Sequence, residues 1–489
     1  MTKSSQDELV FLPLGGSNEI GMNFNLYGFG PAHARKWIVV DLGVTFGDQT
    51  TPGVEIILPD PEYIEAYADD ILGIVLTHAH EDHLGAVHWL WPRLKAPVYA
   101  TPFTAFLLRE KLRDARLLDE VSITEVPLGG KFSIGPFDLE MITLTHSIPE
   151  PNGLAIKTPL GTILHTGDWK IDPEPQLGEA TDIDAIRKLG DEGILAMVCD
   201  STNAMVEGHS GSEAEVRRNM AALIKEFNEK NPSIKATPRA ALSRIAEGTH
   251  PHVKLSQGDH VVFSSRVIPG NEIPIRNLQN KLADRGVRLH TERDTPGIHV
   301  SGHPCRDELK QMYQWARPEI AIPTHGERRH LIEHAAFARD LQVPQQVTPR
   351  NGDMVRLAPG RAEIIDEVPA GRLYVDGGVV TAENGQALRE RRHVAFNGML
   401  AVSVVLDGKN RIVSGPQVRG LGLAGDNDYP LGDAMDDLAE EAETAFKRLG
   451  GDQKELDDAI ENAISRAVKK AAFRIWERKP VVETTVLRV

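Results

Sequence analysis

Apolar and polar positions along the chain set out a succession of strands that end in turns. At the start, ELVFLPLGG, NFNLYGFG and KWIVVDLGV are short apolar runs closed by glycine, the pattern of β-strands with tight connections. ILGIVLTH reads as a buried strand that gives way at Glu81 to a helix with LGAVHWLWPRL as its apolar body. PVYATP predicts another short strand, TPFTAFLLREKLRDARLL an amphipathic helix and ITEVPLGG a further strand. FDLEMITLTHS, GLAIKTPLGTILHTGD and GILAMVCDSTN each place a strand directly before polar residues. Strands that end in His, Asp or Asn therefore recur.

SEAEVRRNMAALIKEFNEK predicts a helix, with Ser212 as its cap and Glu215 at capping-box spacing. Prolines then break the pattern in KNPSIKATPRAALSRIAE. HVVFSSRVIPGNE, VRLHT and EIAIPTHGE resume the strand-to-loop rhythm, with IRNLQNKLADRG and RDELKQMYQWA as helices between them, so residues 205–345 read as a second α/β domain. Strands and turns return over 350–380. AFNGMLAVSVVLD opens a small terminal unit that continues with two helices, DAMDDLAEEAETAFKRL and ELDDAIENAISRAVKKAAFRIWERK, and a last strand, VVETTVLRV. The acidic run in the first of these helices reads as a solvated face. The expected organisation is an α/β chain: a first domain over 1–204, a second over 205–345, a return segment and linker over 346–395, and a small C-terminal α/β domain over 396–489.

A length of 489 residues with 41% hydrophobic content suits two or three cores. Cys199 and Cys305 are the only cysteines, which excludes a disulfide scaffold and a cysteine-based zinc site, so any metal must be held by nitrogen and oxygen. The formal charge of -16 argues against a nonspecific nucleic-acid coat but leaves room for a locally basic cleft. With no long apolar span and no signal-peptide pattern at the start, a cytoplasmic location and no membrane association are expected.

The chemistry concentrates in LTHAHEDHLGA, residues 76–86. Side chains two apart on an extended segment point the same way, so His78 and His80 can share a metal, while Asp82 and His83 approach from the turn into the helix. That is more than one tetrahedral site normally takes from a single loop, and two adjacent metals use it better. His146, Asp168 and His325 each follow an apolar run as His78 does, and strand-end loops are where a scaffold brings remote residues together. The reading places His78, His80 and His146 on one ion, Asp82, His83 and His325 on the other, and Asp168 between them. Imidazole and carboxylate favour Zn2+, with Mn2+ as the competitor, and two such ions make a hydrolase. Asp41, in WIVVDLG, is a candidate carboxylate for fixing a ligand histidine. His165 and His88 read as structural.

The HAHEDH motif with His146, Asp168 and His325 resembles the metallo-β-lactamase fold, an αββα sandwich with a dinuclear centre at one edge. PLGGSNEIGMN at 13–23, CDSTN at 199–203, SSRVIPGNE at 264–272, HVSGHP at 299–304 and IPTHGE at 322–327 resemble the bacterial ribonuclease J group of β-CASP nucleases across almost the whole chain. The resemblance implies an inserted α/β β-CASP domain. It also implies metal-dependent hydrolysis of single-stranded RNA by a metal-activated hydroxide, running 5′ to 3′ with a preference for 5′-monophosphate ends, with endonuclease action as a compatible mode in RNA processing and decay. It makes Asp200 an acidic support and His303 a group that protonates the leaving 3′ oxygen or steadies the scissile phosphate, with Asp82 or Asp168 orienting the nucleophile. HVSGHP agrees on its own terms, combining a general acid with backbone donors suited to an anion.

Ser264, Ser265 and Arg266 follow a strand as donors suited to phosphate, and by resemblance Ser301 and Gly302 lie near a pocket for the 5′-terminal phosphate. Arg276 and Lys281 are candidates for an RNA track. A homodimer or higher homo-oligomer and RNA-decay protein partners are implied as well. One departure stands out: between the helix ending near Lys230 and PRAALSRIA the chain is much shorter than the usual β-CASP insertion, and SIKAT stands where a glycine-rich block is expected. Two rivals remain: a thioester or lactone metallohydrolase, which leaves SSRVIPGNE and HVSGHP without a purpose, and a nonenzymatic RNA-complex scaffold, which would not need all seven ligands.

Overall fold

Alternate residues of strand Asp7–Gly15 face two different cores, because Leu9 and Phe11 are buried against one set of side chains and Val10 and Leu12 against another. Apolar residues on both faces mark a strand covered on both sides, and the computed structural model supplies both covers. It describes residues 6–230, 239–265, 272–426, 428–452 and 456–489. The first sheet has eight strands: Glu363–Glu367, Asp353–Ala358, Asp7–Gly15, Phe24–Pro31, Lys36–Val40, Ile71–Val75, Val98–Ala100 and Ile123–Glu125 in spatial order. The second has seven: Lys131–Ile134, Phe137–Thr143, Asn152–Thr158, Gly161–His165, Ala196–Asp200, Ile320–Thr324 and Gln345–Gln346.

Leu9, Phe11, Tyr27, Ile38 and Val40 of the first sheet meet Phe137, Leu139, Ile156, Ile163 and Ile322 of the second in an apolar layer. Outside the first sheet, Val10, Leu12, Leu26 and Ile74 pack against Leu90 and Leu94 of helix Val87–Leu94 and Leu108 and Leu112 of helix Pro102–Asp114. Outside the second, Ile142, Leu164, Met197 and Ala321 pack against Ile186, Leu189, Leu309 and Met312 from helices Ile183–Glu192 and Arg306–Ala316. The result is a four-layer αββα sandwich.

Gly161–His165, Ala196–Asp200 and Ile320–Thr324 run parallel, with His165 opposite Val198 and Asp200 opposite Thr324, so their C-terminal ends open onto one edge of the sheet. Lys36–Val40, Ile71–Val75 and Val98–Ala100 are parallel in the first sheet. Parallel α/β sheets bind ligands beyond their carboxyl ends. GLAIKTPLGTILH is not one strand but an antiparallel hairpin, with Leu154 opposite His165. Pro159 has no N–H for a ladder and Gly161 adopts φ 144, and the two close the turn between the strands.

Residues 205–345 pack in two ways. Helix Arg306–Ala316 and strand Ile320–Thr324 join the second sheet and its outer layer. Between them and the sandwich strand Ala196–Asp200 lies a small α/β insert. Strands His260–Val262 and Arg288–His290 pair in parallel, and the insert core is Ala246, Leu282 and Val287, with Leu255, Val261, Phe263, Leu278 and Leu289 against them. Ser212 caps helix Glu213–Lys230, its Oγ accepting from Ala214 N at 3.2 Å. The short join at 231–238 lies outside the described residues.

A separate compact unit comprises Gly47–Glu55 and Asp376–Val489. In it, strands Ile412–Leu421, Met399–Leu406 and Val481–Arg488 form a sheet whose Leu400, Val402, Val404 and Val418 pack on Leu438, Ala442, Ile460 and Ile464 of two helices. Ile412–Leu421 has no counterpart in the sequence reading, because Gly415 and Pro416 interrupt its apolar pattern; it lies at the sheet edge, where proline is tolerated. No helix among the described residues is long and apolar enough to cross a membrane.

Candidate metal centre

Strand Ile71–Val75 delivers His78 to this edge, where it is fully buried. Thr77 Oγ donates to Asp41 Oδ2 at 2.8 Å and lies 3.0 Å from His78 Nδ1, so the His78 ring donates from Nδ1 and keeps its Nε2 lone pair free. His146, just past strand Phe137–Thr143, donates from Nδ1 to Gly302 O at 2.5 Å, which also frees its Nε2. Both free nitrogens converge on His80 Nδ1, each at 3.1 Å. His80 can give a proton to one of them at most, so lone pairs face each other with too few hydrogens to pair them. Burial, with like-charged neighbours, holds the His78 imidazole well below its ordinary value, and burial does the same for His146. Neutral imidazoles with converging lone pairs are the form that binds a cation.

Beside this trio, donor atoms of Asp82, His83, Asp168 and His325 lie within 4.8 Å of one another. Asp41 Oδ2 accepts a hydrogen bond from His83 Nδ1 at 2.7 Å while its Oδ1 accepts from Thr77 N at 2.8 Å. His83 Nε2 is thereby aimed at Asp168 Oδ2, 3.2 Å away. A carboxylate that fixes a histidine by its far nitrogen is the usual support of a metal ligand. Burial disfavours charge on His83, but Asp168, Asp41 and Asp82 outweigh it and raise its pKa well above normal. Three carboxylates around one buried imidazole are an excess of negative charge that divalent cations would neutralise.

Asp168 occupies the middle. Its Oδ2 lies 3.8 Å from His146 Nε2 in the first group and its Oδ1 3.5 Å from His325 Nδ1 in the second. Asp168 Oδ1 and His325 Nε2 are buried without a hydrogen-bond partner among the described residues. Polar atoms are seldom left so, and two orphaned ligand atoms within a cluster of this composition fit a metal pair. Asp41 and His325 also adopt left-handed backbone angles, φ 65 and 48, which non-glycine residues reach at a cost and which gather at functional sites.

His303 adjoins the second group. Its Nδ1 donates to Asp200 Oδ2 at 2.7 Å and lies 3.8 Å from Asp168 Oδ2. Burial opposes its protonation, yet the Asp200 and Asp168 carboxylates outweigh it and raise its pKa to about 9. His303, His80 and Asp82 are half-buried while the other members are buried, and they mark the open side of the site. Ser301 Oγ accepts from Asn203 Nδ2 at 2.8 Å and from His303 N at 3.1 Å, which leaves its own proton available. Gly302 must be glycine for the loop to lie against His146, since a Cβ there would stand 2.8 Å from His146 Cε1.

The structure thus gathers His78, His80, Asp82, His83, His146, Asp168, His325, Asp41, Asp200, His303, Ser301 and Gly302 at one edge. Ser264 is elsewhere occupied, its hydroxyl donating to Ile298 O at 2.7 Å, and Ser265 is exposed. Arg266 lies outside the described residues. Arg276 is exposed and Lys281 pairs with Glu247 at 2.8 Å. His165 is buried against Tyr27 OH at 2.8 Å, and His88 is half-buried beside Trp89. Sequence reasoning assigned no role to Asn23 or Thr77. Asn23 Oδ1 is 3.1 Å from His325 Nδ1 and its Nδ2 donates to Asp82 O at 3.1 Å, tying residues that the chain separates widely. Its only signal was membership of the PLGGSNEIGMN block.

A sandwich of two facing sheets, with an α/β insert and this edge of histidines and aspartates, defines a metallo-β-lactamase-fold protein with a β-CASP insertion. Family models agree: residues 36–189 match the β-lactamase superfamily domain, 234–282 the ribonuclease J β-CASP domain, 297–344 the Zn-dependent metallo-hydrolase RNA specificity domain and 386–489 the ribonuclease J C-terminal domain. The chain is 39% identical to ribonuclease J of Sinorhizobium meliloti over 557 residues, covering 99% of this chain and 98% of the relative. It is 31% identical to ribonuclease J of Corynebacterium glutamicum (99% and 76% covered) and 31% to that of Mycolicibacterium smegmatis (97% and 96%). The chain belongs to the ribonuclease J family.

Proposed function

We propose that the protein hydrolyses phosphodiester bonds of single-stranded RNA at a dinuclear metal centre. The observation that carries this reading is the meeting of two donor groups at Asp168, with the His303–Asp200 pair beside them. His78, His80 and His146 would hold one divalent ion, Asp82, His83 and His325 the other, and Asp168 both. When bound, Zn2+ or Mn2+ would acidify water and offset charge on the phosphate. Asp82 or Asp168 orients the attacking water, which gives up a proton to solvent as its oxygen bonds to phosphorus and the bond to the 3′ oxygen breaks. His303, protonated and steered by Asp200, gives the departing 3′ oxygen its proton. The downstream product keeps a 5′ phosphate.

We assign the terminal 5′ monophosphate to the loop bearing Ser301 and Gly302, and read Ser264, Ser265 and Arg266 as a separate phosphate-facing segment. That choice favours 5′-to-3′ exonuclease action, with endonuclease cleavage as a second mode of the same chemistry. The domain division of 1–204, 205–345, 346–395 and 396–489, a cytoplasmic location, and a homodimer or higher homo-oligomer belong to the same reading. Purified protein given 5′-monophosphorylated, 5′-triphosphorylated and 5′-hydroxyl RNAs of one sequence with Zn2+ or Mn2+ should degrade the first fastest and release mononucleotides from its 5′ end. Chelation should abolish cleavage and either ion restore it. Rapid thioester hydrolysis with no RNA cleavage under any metal would overturn the reading in favour of a small-molecule metallohydrolase.

A further inference from the structure

Glu308 is wholly buried yet lies outside the cluster of donor atoms. It is the third residue of helix Arg306–Ala316, and a glutamate there commonly closes a capping box by accepting from the cap residue, as it does from Cys305 N at 2.7 Å. Capping accounts for one of its hydrogen bonds. Its Oε1 also accepts from Ile171 N at 3.1 Å and Ser210 Oγ at 2.6 Å, and its Oε2 from Ser210 N at 2.9 Å. Four donors from three separate segments meet one carboxylate.

Each segment leads to the site or to the insert. Ile171 is three residues past Asp168, Cys305 two residues past His303, and Ser210 stands just ahead of the helix that begins the insert. Asp172 adds a second link across the same gap, accepting from Glu213 N at 2.8 Å and Lys170 Nζ at 3.1 Å. Through the backbone, Glu308 therefore fixes the loop that carries the proton donor relative to the loop that carries the central carboxylate.

We propose that Glu308 is a positioning residue for the cleavage step, setting the 3.8 Å approach of His303 to Asp168 and so the aim of His303 at the departing oxygen. This rests on the nuclease reading above. In Glu308→Gln the amide nitrogen must replace one oxygen, and either choice turns a donor toward a backbone N–H that now needs an acceptor. The loop then shifts while His78 and His83 keep supports that lie outside it; of the described metal-group supports, Gly302 O to His146 is the one carried on the loop.

The test compares RNA containing an ordinary linkage with the same RNA containing one 3′-S-phosphorothiolate linkage, whose thiolate departs without a proton. Glu308→Gln should lower kcat on the ordinary linkage by about 100-fold, the scale of a misaligned reacting group. KM should stay within about threefold, bound metal measured at saturating metal should match wild type, and the sulfur linkage should be cleaved almost as by wild type. Ser210→Ala, which removes a single donor and spares the carboxylate, should show the same selectivity at about tenfold. Equal slowing of both linkages, or wild-type rates on the ordinary one in both variants, would overturn the proposal. Wild-type protein that cleaves neither RNA would overturn the nuclease reading, and this role with it.

Discussion

The edge of the sandwich and the insert beside it are built to different standards. At the edge, His78 is oriented by Thr77, His83 by Asp41, His146 by Gly302 O and His303 by Asp200, and the strands that carry them rest on cores both between and outside the sheets. The insert has two three-residue strands and a small core cluster of Ala246, Leu282 and Val287, with Phe227, Ile245 and Ile298 also buried among its described residues. Chemistry that fails if an atom moves by an ångström is placed where packing and hydrogen bonds fix each side chain more than once. A module whose helices and strands carry none of the candidate metal donors can be held by a small core, provided its attachments are firm.

Substitutions should cost the most at the centre and the least away from it. Asp168→Ala removes the one side chain common to both donor groups and should lower RNA cleavage by well over about 100-fold, beyond the usual loss for a ligand's support; circular dichroism should show the sandwich still folded. Asp41→Asn keeps the shape but frees the His83 ring, and metal affinity measured by competition with a chelator should fall about 10- to 100-fold. Leu282→Ala tests the insert: its core has little to collapse onto the gap, so local stability should drop by about 2–5 kcal/mol. Hydrogen exchange should rise across the described insert residues while metal content stays at the wild-type level. Loss of metal in that variant would mean that the two regions are not independent in stability.

The smallest effect concerns acid. His334 is buried, accepts from Tyr313 OH at 2.9 Å and donates to Ser201 Oγ at 2.8 Å, and burial lowers it to about 4. Between about 4 and its unfolded value of about 6.5 the unfolded chain binds a proton that the folded one refuses. The stability it confers is complete above that window and declines as pH falls through it. His334→Gln preserves both hydrogen bonds without titrating, so unfolding by denaturant should show a shallower pH dependence there than wild type.

Much of this arrangement was legible before any coordinates. HAHEDH announced itself because four donors lie within six residues, and His146, Asp168 and His325 could be picked out because each ends an apolar run, which the strand ends opening onto one edge then explain. What was not legible works across the sequence rather than along it. Asn23 matters because its strand loop lies against a residue 302 positions away, and Glu308 because three unrelated backbones arrive at its carboxylate. No local spacing encodes such meetings. The hairpin within 152–165 and the edge strand Ile412–Leu421 were missed for the opposite reason, since glycine and proline disrupt a pattern that the fold itself tolerates.

Where the insert leaves the sandwich and where it returns, the two chain segments touch: Arg306 N donates to Val206 O at 2.9 Å and Asp307 N to Gly208 O at 3.1 Å. A module whose two ends are stapled side by side can be lengthened, trimmed or exchanged without altering the spacing of the strands from which it hangs. The match to the Sinorhizobium relative spans 557 aligned positions against 489 residues in this chain, and every candidate donor of the centre lies outside the short join. The staple at 206–208 and 306–307 is accordingly the natural splice point for grafting a different insert onto this hydrolytic edge.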